Sequence, residues 1–187
     1  MWHRCGIFKQ MTTILGIQKS DHCLLIADSR VTDDSGRTYS HHAMTKITKR
    51  GKYLIAGAGT TQPCDIIQHI WKPPTPTPNS YKDLYHFMIA EVATSMRLAL
   101  TMNGYIPDKE NDEPDFIFLI ALGGTIFELD DSLSVLMRDD GIYGIGSGSP
   151  YAIGALQAGA TWKQSMQVAA RNNIFTAPPF ITHKQTK

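Results

Sequence analysis

Short apolar and β-branched runs come in two blocks along this chain, and each block is followed by a pair of helical segments. In the first block, residues 13–18 (T-I-L-G-I-Q), 23–28 (C-L-L-I-A-D) and 52–58 (K-Y-L-I-A-G-A) read as strands. The first two form a hairpin about the turn-like Lys19, Ser20 and Asp21. A polar stretch, 31–40, turns at Asp33, Asp34, Ser35 and Gly36. A helix is predicted next: Pro63 suits its first turn, Asp65 complements its N-terminal dipole, and Ile66, Ile67 and Ile70 supply an apolar face. P-P-T-P-T-P at 73–78 is a stiff extended connector between two helices. In residues 81–102, Leu84, Met88, Val92, Met96 and Ala99 share one helical face, and Asn103 and Gly104 cap it. Residues 108–115 are acidic and predict an exposed loop.

The second block repeats the plan. Strands are predicted at 116–122, 125–129, 134–137 and 141–145. Gly146, Ser147 and Gly148 turn the chain, with Ser149 and Pro150 as N-cap and first helical residue. Helices follow to about 158 and from 162 to about 171, then a terminal strand at 180–183. Strands, helix pair, strands, helix pair suits two packed sheets with helices outside, an α+β fold.

The 187 residues suffice for one domain with a sizeable core. A net charge of +1, without a basic stripe, gives no reason to expect a nucleic-acid or anionic-membrane partner. No apolar run approaches the roughly 20 residues of a membrane helix. Cys5, Cys23 and Cys64 lack metal-site or disulfide spacing and read as reduced thiols of a cytoplasmic protein. Residues 1–10 carry no apolar core of a secretion signal. His41 and His42 have no third ligand at suitable spacing, so no metal or organic cofactor is expected. The glycine-rich run 144–149 lacks the Lys-Ser/Thr ending of a phosphate loop.

The chemistry centres on Thr12 and Thr13, directly behind Met11. A Thr hydroxyl alone is a poor nucleophile. A free α-amine on the same residue, with an ordinary pKa of about 7.7–8.0, accepts its proton near neutral pH. Removal of residues 1–11, a leader or alternative-start extension, would expose that amine and leave 12–187 as a single domain. An oxyanion requires preorganised backbone donors. Gly57, Ala58 and Gly59 lie at a strand end, where glycine lets a substrate backbone approach; Gly59 is the donor candidate and Gly57 lines the adjoining pocket.

The chain resembles the proteasome β-subunit family, and more closely its bacterial HslV-type branch. The resemblance runs through T-T-I-L-G-I from Thr12, L-L-I-A-D-S-R ending at Arg30, T-K-I from Thr45, I-A-G-A-G ending at Gly59, Asp65, Y-G-I-G-S-G-S-P-Y-A from Tyr143 and A-A-R-N-N-I-F-T ending at Thr176. It implies a four-layer αββα sandwich of the N-terminal-nucleophile hydrolases. It also implies a threonine-type endopeptidase working without a cofactor on protein or peptide substrates, in a homo-oligomeric ring that a ring ATPase unfoldase can serve. Thr12 would attack the scissile carbonyl, Lys46 would favour proton loss from its hydroxyl, and Asp28 would hold Lys46. Ser147 matches the serine that assists the Thr amine. Thr13, Gly57 and Ala58 fall on the substrate side, and Asn173 and Thr176 support the site. Asn173 stands where the family usually has aspartate, Ala177 where glycine follows the hydroxyl residue, and Met11 where self-cleaving members commonly have glycine. The same fold also admits a catalytically silent ring or shell subunit that keeps its leader, or a hydrolase of small amides.

Overall fold

The computed structural model describes residues 9–10, 12–32, 36–39, 41, 44–106 and 115–187. The rest of the leader, the turn at 33–35, His42 and the acidic stretch 108–114 lie outside the described residues.

Strand β1 is Lys9–Gln10, β2 Ile14–Gln18, β3 His22–Ala27, β4 Val31–Thr32, β5 Thr38–Tyr39, β6 Ile47–Arg50 and β7 Tyr53–Thr60. After the first helical pair come β8 Phe116–Leu122, β9 Thr125–Asp130, β10 Val135–Leu136, β11 Ile142–Ile145 and, at the end, β12 Ile181–Thr186. They build a six-stranded sheet, β1-β7-β8-β9-β10 with β6 also on β7, a four-stranded sheet, β11-β2-β3-β12, and a separate two-stranded ribbon, β4-β5.

The period-2 alternation of strand side chains assigns each residue to a layer. In the β2–β3 hairpin, Ile14, Leu25 and Ala27 face Ala56, Leu119, Ala121 and Ile126 of the other sheet. Their neighbours Leu15 and Ile26 turn outward onto Ala152, Met166 and Ala169 of helices α4 (Ser149–Gln157) and α5 (Trp162–Asn172). On the opposite side, Ile55, Phe118 and Ile120 of the six-stranded sheet pack under Ile67, Met88, Val92 and Met96. Those residues belong to α1 (Thr61–Asp65) with its π-helical continuation Ile66–Ile70, and to α2 (Leu84–Phe87), a π turn Met88–Ala93 and α3 (Thr94–Met102). The result is helices, sheet, sheet, helices, the αββα sandwich expected.

Several local expectations change. Ile47–Arg50 is an additional strand, joined to β7 through Gly51 at φ 57°, a left-handed conformation that suits glycine. The long helix begins later than residue 81: Asp83 is its N-cap and accepts the His86 N–H at 2.9 Å. Ser149 is not an N-cap; Gly148 holds that place because a side chain there would collide with Thr13 and Thr176. The last strand extends to Thr186, paired along β3. Among the described residues, no helix is long and apolar enough to cross a membrane.

Candidate active site

The β2–β3 hairpin brings its two ends together. Asp28 follows β3, Thr13 precedes β2, and the Asp28 N–H donates to the Thr13 carbonyl at 3.1 Å. The Asp28 carboxylate turns into the gap between the sheets, where it is buried with Thr12, Thr13 and Lys46. Its Oδ1 accepts the Thr12 hydroxyl at 2.6 Å, the Thr13 N–H at 2.9 Å and Lys46 Nζ at 2.7 Å. Its Oδ2 accepts the N–H groups of Arg30 at 3.1 Å and Ala177 at 3.2 Å. A carboxylate is acceptor-only, so this many donors around it is the arrangement its chemistry needs.

Lys46 arrives from the start of β6. Burial pushes its ammonium below the ordinary lysine range, opposed by the negative charge and hydrogen bond of Asp28. It meets Thr12 on a shared oxygen, Asp28 Oδ1. Its backbone is held separately: Gln68, buried in the π-helical turn after α1, donates Nε2 to the Lys46 carbonyl at 2.8 Å and to the Ile55 carbonyl at 3.3 Å.

The second half of the chain closes the site. Thr13 Oγ1 and Thr176 Oγ1 lie 2.6 Å apart. Asn173 Oδ1 accepts from Thr176 Oγ1 at 3.2 Å, from the Phe175 N–H at 3.0 Å and from Ser147 Oγ at 3.5 Å. The Gly148 N–H donates to the Thr12 carbonyl at 3.3 Å. Gly146, at φ 84°, lies so close to that carbonyl that any Cβ would strike it. The glycines of the G-S-G turn are therefore needed for close approach to Thr12, a role its reading as a simple turn missed.

Gly57, Ala58 and Gly59 end β7, whose outer edge is shared. β6 pairs residues 53–56, and β1 pairs antiparallel opposite Gly59 and Thr60. Gly57 is packed against Phe118 and Cys64, and its N–H donates to the Lys46 carbonyl at 3.4 Å. Gly59, at φ 111°, sits against the Asp115 carbonyl and Phe116. Among the described residues, no hydrogen bond joins Gly59, or Ser147, to Thr12. Residue 11 precedes Thr12, so the Thr12 nitrogen is a peptide nitrogen, which accepts no proton.

The fold is that of the proteasome-like N-terminal-nucleophile hydrolases. In sequence the chain is similar to an HslV-type subunit, the ATP-dependent protease subunit HslV of Desulfovibrio desulfuricans, at 28% identity over 88% of this chain and 92% of that protein. In structure it is similar to Thiobacillus denitrificans BPH, with a TM-score of 0.73 at 21% identity over 93% of this chain and 97% of the other. It is also similar to eukaryotic HslV from Trypanosoma brucei, with a TM-score of 0.61 at 19% identity over 94% and 99%. No family model matches the sequence.

Proposed function

We propose that the chain is a threonine-type endopeptidase subunit of a proteasome-like ring, with Thr12 as nucleophile once residues 1–11, its leader, are removed from the 12–187 domain. The observation that carries this reading is the buried convergence of Thr12 Oγ1 and Lys46 Nζ on Asp28 Oδ1. In the processed chain the Thr12 amine takes the hydroxyl proton, the freed oxygen attacks the scissile carbonyl, and an acyl-enzyme forms. The Lys46 ammonium stabilises the developing alkoxide, and the Asp28 carboxylate holds that lysine in place. The amine then returns the proton to the leaving amine, and water attacks the ester with the same amine as base.

The Gly59 N–H serves the oxyanion. Thr13, Gly57 and Ala58 form the substrate-side wall. Asn173 and Thr176 hold the Thr13 hydroxyl through their hydrogen-bond chain, and Ser147, at the other end of that chain, assists the amine once it is exposed. Tyr85, Ile89, Leu98 and Met102 leave apolar surface on the α2–α3 side, consistent with contacts between copies in a ring. A ring ATPase unfoldase, in the cytoplasm, is the partner that the similarity to an ATP-dependent protease subunit suggests.

A second reading has its own observation. β1 pairs with the end of β7 at Gly59 and Thr60, beside the candidate oxyanion donor. A chain that keeps this strand is a structural ring subunit with a blocked Thr12. Intact mass with an electrophile selective for N-terminal threonine separates the two. The peptidase gives a chain starting at Thr12 with the adduct there. A folded chain that always retains residues 1–11 and takes no label overturns the peptidase reading.

A further inference from the structure

Strand β6, which follows Lys46 directly, is tied at both ends to one helical segment. At its start, Gln68 Nε2 donates to the Lys46 carbonyl at 2.8 Å and to the Ile55 carbonyl of β7 at 3.3 Å. At its end, the Arg50 guanidinium spreads over the far end of the π-helical turn that carries Gln68. Nη1 donates to the His69 carbonyl at 2.8 Å and Nη2 to the Trp71 carbonyl at 2.7 Å. A cation suits that place, because the last carbonyls of a helix lack partners within it and carry partial negative charge. Among the described residues β6 pairs with β7 alone, and that ladder weakens toward Lys46: the Gly57 N–H reaches the Lys46 carbonyl only at 3.4 Å. The amide of Gln68, buried at 2% exposure, is therefore the closer hold on the Lys46 backbone.

We propose that Gln68 is a positioning residue for Lys46, acting through its backbone, and that Arg50 acts with it by fixing the segment that carries Gln68. Asp28 holds the head of the lysine side chain at 2.7 Å, and Gln68 holds its root. Four flexible methylenes separate the two, so neither hold replaces the other. With the root loose, Nζ wanders from the oxygen it shares with the Thr12 hydroxyl, and a misplacement of about 1 Å suffices to slow a reaction about a hundredfold. The catalytic consequence rests on the peptidase reading; the hold on Lys46 does not.

Pulse acetylation of the full-length chain with an N-hydroxysuccinimide ester, read by peptide mass, tests the hold without turnover. Gln68→Met keeps the length of the side chain and donates nothing. It should raise the Lys46 rate at least about fivefold, the scale of one lost hydrogen bond. Lys49, exposed on the same strand, is the reference and should keep its rate. The buried Cys23 thiol, probed with a disulfide reagent, should stay closed and so report an intact fold. Arg50→Lys keeps the charge but loses the fork and should give a smaller rise; it also serves if Gln68→Met does not fold. An unchanged Lys46 rate in both variants, or a rise that comes only with Cys23 opening, overturns the proposal. In a chain starting at Thr12, Gln68→Met should lower kcat at least about tenfold and move KM less. Freer Lys46 with unchanged kcat, or a loss confined to KM, also overturns it. A wild-type chain starting at Thr12 that hydrolyses no peptide sinks the peptidase reading alone, and acetylation then decides the hold on Lys46.

Discussion

The hydroxyl of Thr12 donates to Asp28 Oδ1 at 2.6 Å, and the same oxygen holds Lys46 Nζ at 2.7 Å. Asp28 also serves the N–H groups of Thr13, Arg30 and Ala177. The two members of the ion pair are therefore unequal. Asp28→Ala strands a buried lysine and several backbone donors and should cost about 3–5 kcal/mol. Lys46→Met leaves the carboxylate four donors and fits the alkyl stem, so its cost should be clearly smaller. Urea unfolding of both variants checks the order; equal losses would contradict it. Both should abolish labelling of a processed Thr12.

Gly148 admits no side chain: a Cβ would lie 2.5 Å from Thr176 Oγ1 and closer still to Thr13 Oγ1. Gly148→Ala should cost about 1–3 kcal/mol by overpacking and push the Thr12–Thr13 backbone out of place. Gly154 has nothing within 4 Å of its virtual Cβ, so Gly154→Ala in α4 should be neutral or slightly stabilising. Thermal melts of the pair measure the contrast.

Asn173 joins Ser147 and Thr176 through one acceptor oxygen. Asn173→Leu should loosen this corner by about 1–2 kcal/mol, because two hydroxyls and the Phe175 N–H lose their acceptor. Asn173→Asp keeps every acceptor and adds negative charge to the corner that holds the Thr13 hydroxyl, which should raise the proton affinity of an amine freed at Thr12. The acid limb of a pH–rate profile should move to higher pH in Asn173→Asp. A profile identical to wild type would place Asn173 outside the electrostatic reach of the site.

Cys23 and Cys64 are fully buried free thiols. Burial pushes the Cys23 thiol up to about 11 and raises Cys64 further. At pH 8, on a Cys5→Ser background, neither should react with a disulfide reagent until denaturant is added. The folded chain holds the Cys23 proton that the unfolded chain has lost between the ordinary thiol value of 9.0 and about 11, so stability should fall as pH rises through that window. Stability that rises there would contradict the assignment.

The hairpin of 13–18 with 23–28 was readable from apolar runs and a turn, and it alone brings Thr12 to Asp28, because antiparallel pairing sets Ile14 opposite Ala27. Lys46 was different. In T-K-I-T-K-R, Lys46 and Lys49 are alike by composition, and resemblance singled out the first. The reason appears only with β6, which buries Lys46 and leaves Lys49 exposed. Gln68 was missed: in an ordinary helix, I-I-Q-H-I presents it as a polar interruption of an apolar face. The π-helical turn at Ile66–Ile70 accompanies its inward placement against the Lys46 carbonyl.

By itself, then, the sequence determined what depends on neighbours in the chain: the alternation that sorts Ile14 from Leu15 and Leu25 from Ile26 into different layers, the two strand blocks with their helix pairs, and the Thr12–Asp28 hairpin contact. Tertiary structure alone decided what depends on distant segments. Thr176 reaches Thr13 across 163 positions, and Ala177 reaches Asp28 across 149, because β12 folds back onto β3. Local propensity carries no information over such separations. Only the packing of one sheet on the other brings Lys46, Asn173 and Gly148 around the residue that opens the first strand.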